Sequence, residues 1–184
     1  MTPDLEALRR HLLEHSVRTG DFVLKSGRRS RWFVDAKQTT CRPDGMLLVA
    51  DAALAVLPDD ITAIGGLTMG ADAMAFGIAA VAATRSRALR SFSVRKEVKD
   101  HGAGGRVAGA LEPGDRVVIT EDAVTRGVSP MEAATVVREA GALPVMILAL
   151  VDRGGTCAAM AEKEGIAFHA LVTAPDLGFD YEGA

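Results

Sequence analysis

The chain has 184 residues, a formal net charge of −3 and an aromatic content of 4%. A net acidic, aromatic-poor chain lacks the basic field and the stacking surfaces of a general nucleic-acid binder. The longest apolar run, at 143–151, is too short to span a bilayer. The length fits one domain, and 48% hydrophobic residues suffice for a sizeable core.

Two features of composition bear on the compartment. Cys41 and Cys157 lack the spacing of a metal or CxxC site, so we expect reduced thiols. The first residues show no basic segment followed by an apolar one, so we expect no signal peptide. Both observations favour a cytoplasmic protein.

The first 60 residues predict two helices and a hairpin. Leucines at helical spacing predict a helix over 4–17. Two short β-prone runs, 22–25 and 32–35, predict a hairpin whose turn is rich in cations. Proline and aspartate then start a helix over 46–57, and a second proline ends it.

From about residue 61, predicted strands alternate with predicted helices. We expect strands at 61–64, 91–94, 107–110, 117–120, 144–151 and 166–172, and helices at about 73–84, 130–140 and 156–164. Such alternation predicts right-handed crossovers and a parallel sheet with helices on its faces. The expected fold class is therefore α/β, with a central, mostly parallel sheet flanked by helices.

Four polar segments follow predicted strands, at 65–72, 95–101, 121–129 and 152–153. The carboxyl ends of parallel strands share one edge of a sheet, so we expect these segments to meet there. Glycines in 65–72 let backbone N–H groups approach an anion, although the spacing is not that of a dinucleotide site. The segment 95–101 is cationic, lacks a helical or strand period and runs into glycines, so we expect a mobile loop.

The segment 121–129 carries the most specific signal. Glu121 and Asp122 follow the predicted strand at once, and a small polar loop leads to Ser129 as helix N-cap and Pro130 as first helical residue. A helix N-terminus binds a phosphate, and carboxylates accept hydrogen bonds from sugar hydroxyls. The segment lacks the Gly-Lys-Ser/Thr ending of a Walker loop. It predicts a site for a phosphorylated sugar, and the alternative is a pair of exposed acids before a capped helix.

Taken together, these segments resemble those of orotate phosphoribosyltransferases, a family of type I phosphoribosyltransferases. The resemblance covers about residues 20–160, and its most discriminating part is the Arg-Lys-Glu-x-Lys-Asp-His-Gly segment. It rests, in chain order, on Lys25-Ser-Gly-Arg, Gly66-Leu-Thr-Met-Gly-Ala-Asp, Arg95-Lys-Glu-Val-Lys-Asp-His-Gly, Glu121-Asp-Ala-Val-Thr-Arg-Gly-Val-Ser and Asp152-Arg153. It implies the type I phosphoribosyltransferase fold as a single domain over 1–184, with 1–40 contributing to a hood over the active site.

The resemblance also implies an activity. Members of the family transfer the phosphoribosyl group of 5-phosphoribosyl 1-diphosphate (PRPP) to orotate, which gives orotidine 5′-monophosphate and diphosphate in pyrimidine biosynthesis. The implied cofactor is Mg²⁺, held by PRPP and water and not directly by protein side chains. The implied assembly is a cytoplasmic homodimer that shares its active sites across the interface and has no nucleic-acid or membrane partner.

Site residues carried over from the resemblance fall into three groups. The catalytic ones are Lys99, Glu121 and Asp122. Those for PRPP are Arg95, Lys96, Lys99 and His101 at the diphosphate, Glu121 and Asp122 at the ribose, Thr125, Arg126, Gly127, Val128 and Ser129 around the 5′-phosphate, and Ala123 and Val124 between the acids and that loop. Those for orotate are Lys25, Phe33, Thr125 and Arg153.

Four positions depart from the family pattern. They are Arg126 and Val128 in place of small residues, Val34 in place of a second aromatic residue, and Gly70 in place of a lysine. Two other functions remain open: the same chemistry on a purine or on uracil, and a regulator of this fold that contacts nucleic acid. Lys25 and Arg153 favour an acidic base, because a bidentate arginine suits a carboxylate.

Overall fold

The computed structural model describes residues 2–23, 27, 29–99 and 105–182, with the backbone alone at 98 and 99. Helix α1 (Leu5–His11) begins after Asp4, whose carboxylate accepts a hydrogen bond from the Ala7 amide at 2.8 Å. The helix continues as a π-helical turn at Leu12–Ser16. The predicted helix over 4–17 is confirmed.

A hairpin follows, made of β1 (Val17–Val23) and β2 (Arg29–Val34). The strands are antiparallel, with Val17 opposite Val34. The predicted hairpin is confirmed, although β1 begins earlier than expected because its pairing with β2 reaches back to Val17. Alternation along β2 buries Ser30, Trp32 and Val34 on one face.

The rest of the chain forms the sheet and its helices. The helices are α2 (Lys37–Thr40), α3 (Pro43–Val56), α4 (Asp72–Thr84), α5 (Val128–Glu139) and α6 (Cys157–Lys163). The sheet strands are β3 (Ala63–Leu67), β4 (Arg90–Lys99), β5 (Gly105–Gly109), β6 (Arg116–Val124), β7 (Leu143–Asp152) and β8 (Ala167–Thr173).

The sheet has the strand order β5-β4-β3-β6-β7-β8, and its pairs are parallel except for β4 with β5. Helices cover both faces. Val118 of β6 packs in one apolar cluster with residues of α3 and α4, whereas Val117 and Ile119 pack in another with residues of α5 and α6. The predicted α/β class, with a mostly parallel sheet flanked by helices, is confirmed.

Two predicted strand ends are wrong. Strand β4 runs through Lys99, so the residues from Arg95 to Lys99 are not a loop, whereas 100 and 101 lie outside the described residues. Pairing with β5, in which Lys99 lies opposite Gly105, extends the strand. Strand β6 runs to Val124 because β7 pairs with it as far as Asp152.

Among the described residues, no helix has the length and apolar character needed to cross a membrane.

Candidate active site

The segments after β3, β6 and β7 lie against one another. The Thr156 hydroxyl donates to the Thr125 carbonyl at 3.0 Å, and the Arg153 amide donates to the Val124 carbonyl at 2.8 Å. Gly154 is so close to Thr125 that a Cβ added there would lie 1.7 Å from its carbonyl oxygen. The structure therefore brings the segments 121–129 and 152–153 together at one edge of the sheet.

Glu121 and Asp122 form a buried acid pair within β6. The residues are only 8% and 6% exposed, respectively. The prediction that they follow the strand is wrong, since both lie within β6, where Glu121 is opposite Ala149 in the β6–β7 ladder. Their burial also contradicts the alternative of exposed acids. Gly70 packs against both side chains: a Cβ added there would lie 2.8 Å from one oxygen of each carboxylate. The segment after β3 thus reaches the acid pair through a residue that has no side chain.

Lys37 supplies the cation of this acid pair. Its Nζ donates a hydrogen bond to Asp122 Oδ2 at 2.5 Å, from the first turn of α2. Burial lowers the pKa of Lys37, but the hydrogen bond and the charge of Asp122 outweigh burial and leave the pKa raised. Sequence analysis missed Lys37, because its partner is 85 residues away.

Glu121 titrates unusually. Burial, followed by the charge of Asp122 and a hydrogen bond with it, raises the pKa of Glu121 to about 8, against the opposing charges of Lys37 and Lys96. Glu121 Oε2 is buried and has no hydrogen-bond partner among the described residues. Near neutral pH the acid pair therefore retains a proton.

The loop after the acid pair leads into α5 through Gly127. Gly127 has φ 83° and ψ 8°, a left-handed conformation that glycine adopts without strain, and it is the N-cap of the helix. The predictions of Ser129 as N-cap and Pro130 as first helical residue are therefore wrong. The first intrahelical hydrogen bond runs from the Met131 amide to the Gly127 carbonyl. The amides of Val128 and Ser129 precede it and point out of the helix end.

Two side chains of this loop, Arg126 and Val128, are exposed. Cys157 lies beneath the loop, since a Cβ on Gly127 would be 2.8 Å from its Sγ. Burial and the charges of Asp152 and Glu121 raise the pKa of Cys157 to about 11. Cys157 and Cys41 are both free, and the buried Cys157 remains a protonated thiol at neutral pH.

The cations predicted at the diphosphate are only partly described. Arg95 and Lys96 lie in β4, where Arg95 Nη1 donates to the Gly105 carbonyl at 3.3 Å. Lys96 is exposed and close enough for its charge to act on Glu121. Lys99 ends β4 with its backbone opposite Gly105, whereas His101 lies outside the described residues.

Arg153 follows β7 and turns toward the hairpin. It is 6% exposed, and its Nη2 donates to the Ser30 hydroxyl and to the Trp32 carbonyl, each at 3.1 Å. The same nitrogen pairs with Glu182. The guanidinium carbon lies 4.9 Å from the centroid of the Trp32 ring, at cation–π distance. Arg153 thus joins the hairpin to the sheet edge beside the acid pair.

Of the other two residues predicted for orotate, the structure describes Phe33 but not Lys25. Phe33 is 39% exposed and lies on the face of β2 opposite to Ser30 and Trp32, with its ring 5.8 Å from that of Phe22. Lys25 lies outside the described residues. Their contacts with the base stay predictions.

Comparisons with known proteins agree with this architecture, although no family model matches the chain. An orotate phosphoribosyltransferase of Nostoc sp. is 37% identical over 186 residues, which cover 98% of this chain and 90% of the relative. That of Aquifex aeolicus is 39% identical over 176 residues, covering 94% and 96%. This chain belongs to the orotate phosphoribosyltransferase family. The crystal structure of Mycobacterium tuberculosis orotate phosphoribosyltransferase in complex with PRPP matches with a TM-score of 0.79 and 28% identity over 96% of this chain and 100% of that one.

The structure also places beside the predicted site residues four residues that the motifs of this orotate phosphoribosyltransferase family member did not reveal. They are Lys37 at the acid pair, and Ser30, Trp32 and Glu182 at Arg153. The cation that follows β2 was a weak signal for Lys37. For the other three there was none, because only folding brings them to Arg153.

Proposed function

We propose that this chain transfers the phosphoribosyl group of PRPP to orotate, giving orotidine 5′-monophosphate and diphosphate. The observation that carries the proposal is the buried acid pair of β6, placed directly before the open N-terminus of α5. A sugar phosphate needs both: acceptors for its hydroxyls and N–H donors for its phosphate. Membership of the family and a relative solved with PRPP support the same substrate.

Glu121 and Asp122 would bind the ribose hydroxyls, and the loop of residues 125–129 would surround the 5′-phosphate. Ala123 and Val124, at the end of β6, would complete the PRPP site between them. The amides of Val128 and Ser129 lie at the positive end of the dipole of α5. Thr125, whose carbonyl accepts a hydrogen bond from the Thr156 hydroxyl, would contact both PRPP and the base.

The leaving diphosphate would be bound by Arg95, Lys96, Lys99 and His101. Breaking the bond to the anomeric carbon moves negative charge onto the diphosphate and leaves an oxocarbenium-like sugar. Cations positioned at the departing oxygens stabilise charge that appears as the bond stretches, and one such contact is worth about 3–4 kcal/mol.

Mg²⁺ would be held by the diphosphate and water. The described residues contain no cluster of three or more His, Cys, Asp or Glu side chains arranged to hold a metal ion. Mg²⁺ usually keeps several waters and is bound through one or two carboxylates together with substrate phosphates. When bound, the ion would neutralise charge on the diphosphate.

Orotate would be held through its carboxylate by Arg153, with Thr125, Phe33 and Lys25 as the other contacts. The planar guanidinium suits a carboxylate, and the low exposure of Arg153 strengthens the attraction. Orotate is anionic through its carboxylate, which Arg153 would bind. Its ring nitrogen N1 would bond to the anomeric carbon as the bond to the diphosphate breaks, and the N1 proton would pass to the departing diphosphate or to water.

We also propose that the chain acts as one domain over 1–184, with 1–40 as a hood over the site. The contacts of Lys37 with Asp122, and of Ser30 with Arg153, support this arrangement. The finer features of the family are proposed with it: a cytoplasmic homodimer that shares its sites, without a nucleic-acid or membrane partner.

The test is the loss of orotate absorbance on addition of PRPP and Mg²⁺, with adenine, hypoxanthine and uracil as competing bases. We expect turnover with orotate alone. Preferential turnover of a purine or of uracil would identify that base, and not orotate, as the substrate. No turnover with any base would contradict the proposed activity.

A further inference from the structure

The buried guanidinium of Arg153 is held in place by the C-terminal segment. All three hydrogen bonds that it makes to described residues use one nitrogen, Nη2, with Ser30, Trp32 and Glu182 as acceptors. Nε is buried and has no hydrogen-bond partner among the described residues. One edge of the guanidinium is therefore anchored, while another donor is left unsatisfied.

The counter-charge comes from Glu182. An arginine that is 6% exposed would be strongly destabilising without an anionic partner, since an unpaired buried charge is costly. Glu182 Oε2 pairs with Arg153, and Glu182 Oε1 lies 2.5 Å from the Ser30 hydroxyl. The carboxylate of Glu182 thus links the sheet edge to the hairpin.

The segment 179–182 is itself fixed by packing. The Phe179 ring stacks on Trp32 at a centroid distance of 4.5 Å and an interplanar angle of 7°. The Tyr181 ring covers Gly155, where a Cβ would lie 2.9 Å from it. The Glu182 amide donates to the Arg153 carbonyl at 2.9 Å. A carboxylate held this firmly fixes the arginine that it binds.

From these contacts we infer that Glu182 is a positioning residue for the base: it holds Nη2 of Arg153 so that the remaining guanidinium donors face the carboxylate of the substrate. The inference rests on the proposed function, which assigns orotate to Arg153. Glu182 does not touch the substrate. It acts by fixing the direction in which Arg153 presents its hydrogens, because misplacement by an ångström weakens such a contact greatly.

The experiment is steady-state kinetics on the full chain, with orotate and PRPP varied in turn. Glu182→Ala should raise the KM for orotate by about tenfold or more and leave the KM for PRPP unchanged. Glu182→Gln keeps a hydrogen-bond acceptor on a side chain of the same length and should raise the KM for orotate less. Asp180→Asn, an exposed acid of the same segment, is the matched control and should change neither constant.

The outcomes distinguish a failure of the positioning role of Glu182 from a failure of the proposed function. If Arg153→Ala raises the KM for orotate while both Glu182 variants leave it unchanged, the positioning role is wrong and the proposed function stands. A lower KM for orotate in Glu182→Gln would also overturn it, because Glu182 would then compete with the substrate. Absence of orotate turnover in the unmodified chain, or an unchanged orotate KM in Arg153→Ala, would overturn the proposed base site and this inference with it.

Discussion

Lys37 Nζ lies 2.5 Å from Asp122 Oδ2 and so joins the segment after the hairpin to the central strand of the site. The side chain of Asp122 is 8% exposed, whereas that of Lys37 is 42% exposed. The pair therefore has one buried and one solvated member, and the buried member is the one that depends on its partner.

The first prediction concerns this pair. Lys37→Met removes the charge and keeps the length of the side chain, which leaves the Asp122 carboxylate buried without its cation. Because Lys37 is partly solvated, we expect a loss of about 1–2 kcal/mol in the free energy of unfolding, below the cost of breaking a fully buried pair. Urea unfolding measures it. Lys163→Met, at an exposed position of α6, is the control, and equal effects of the two variants would contradict the account.

The second prediction concerns pH. The pKa of Glu121 is raised to about 8 from 4.5, so folding favours the protonated form. This contribution to stability is complete below pH 4.5 and is lost as the pH rises toward about 8. Relative to Glu121→Gln, the unmodified chain should lose up to about 1.4 kcal/mol per pH unit across that window. Urea unfolding between pH 5 and 9 checks this, and parallel curves for the two proteins would contradict a raised pKa.

The third prediction concerns Gly70. An alanine there would bring a methyl group to 2.8 Å from oxygens of both Glu121 and Asp122, so the carboxylates must shift. We expect Gly70→Ala to raise the KM for PRPP by about tenfold, because small displacements of binding groups have large effects. The KM for orotate, measured in the same preparations, serves as the internal control. An unchanged KM for PRPP would contradict the placement of Gly70 at the ribose site.

The fourth prediction concerns Lys99. Lys99→Ala should lower kcat by about a hundredfold or more while changing the KM for PRPP little, because the cation acts mainly on the charge of the leaving diphosphate. Lys163→Ala controls for the loss of a lysine. Unchanged turnover would remove Lys99 from the leaving-group site.

Mixing Lys99→Ala with Arg153→Ala protomers extends this test to the assembly. If Lys99 acts in the partner's site, a fraction of hybrid sites contains neither substitution and recovers activity. If activity does not recover, Lys99 acts within its own subunit or the chain does not form the proposed dimer.

Much of the fold followed from periodicity. Apolar runs such as 144–151, separated by helical segments, are enough to predict a parallel sheet, and the motif at 121–129 identified Glu121 and Asp122. Strand ends were less predictable, since β4 and β6 extend as far as their neighbours pair with them. Helix α5 begins at Val128, because the left-handed Gly127 is its N-cap in place of the side-chain cap that Ser129 suggested.

The unpredicted part of the site consists of long-range contacts. Arg153 was identified from the residues that flank it, but its partner Ser30 lies 123 residues away. Lys37 and Glu182 are likewise ordinary surface-type residues in the sequence, and folding alone gives them buried partners. Local sequence patterns do not predict such long-range pairs.

The most direct measurement is a crystal structure of the chain with PRPP and Mg²⁺. The account predicts that a ribose hydroxyl lies at hydrogen-bond distance, about 2.5–3.0 Å, from Asp122, with the 5′-phosphate on the amides at the start of α5. A sugar diphosphate bound elsewhere, with Asp122 far from every ribose oxygen, would contradict it.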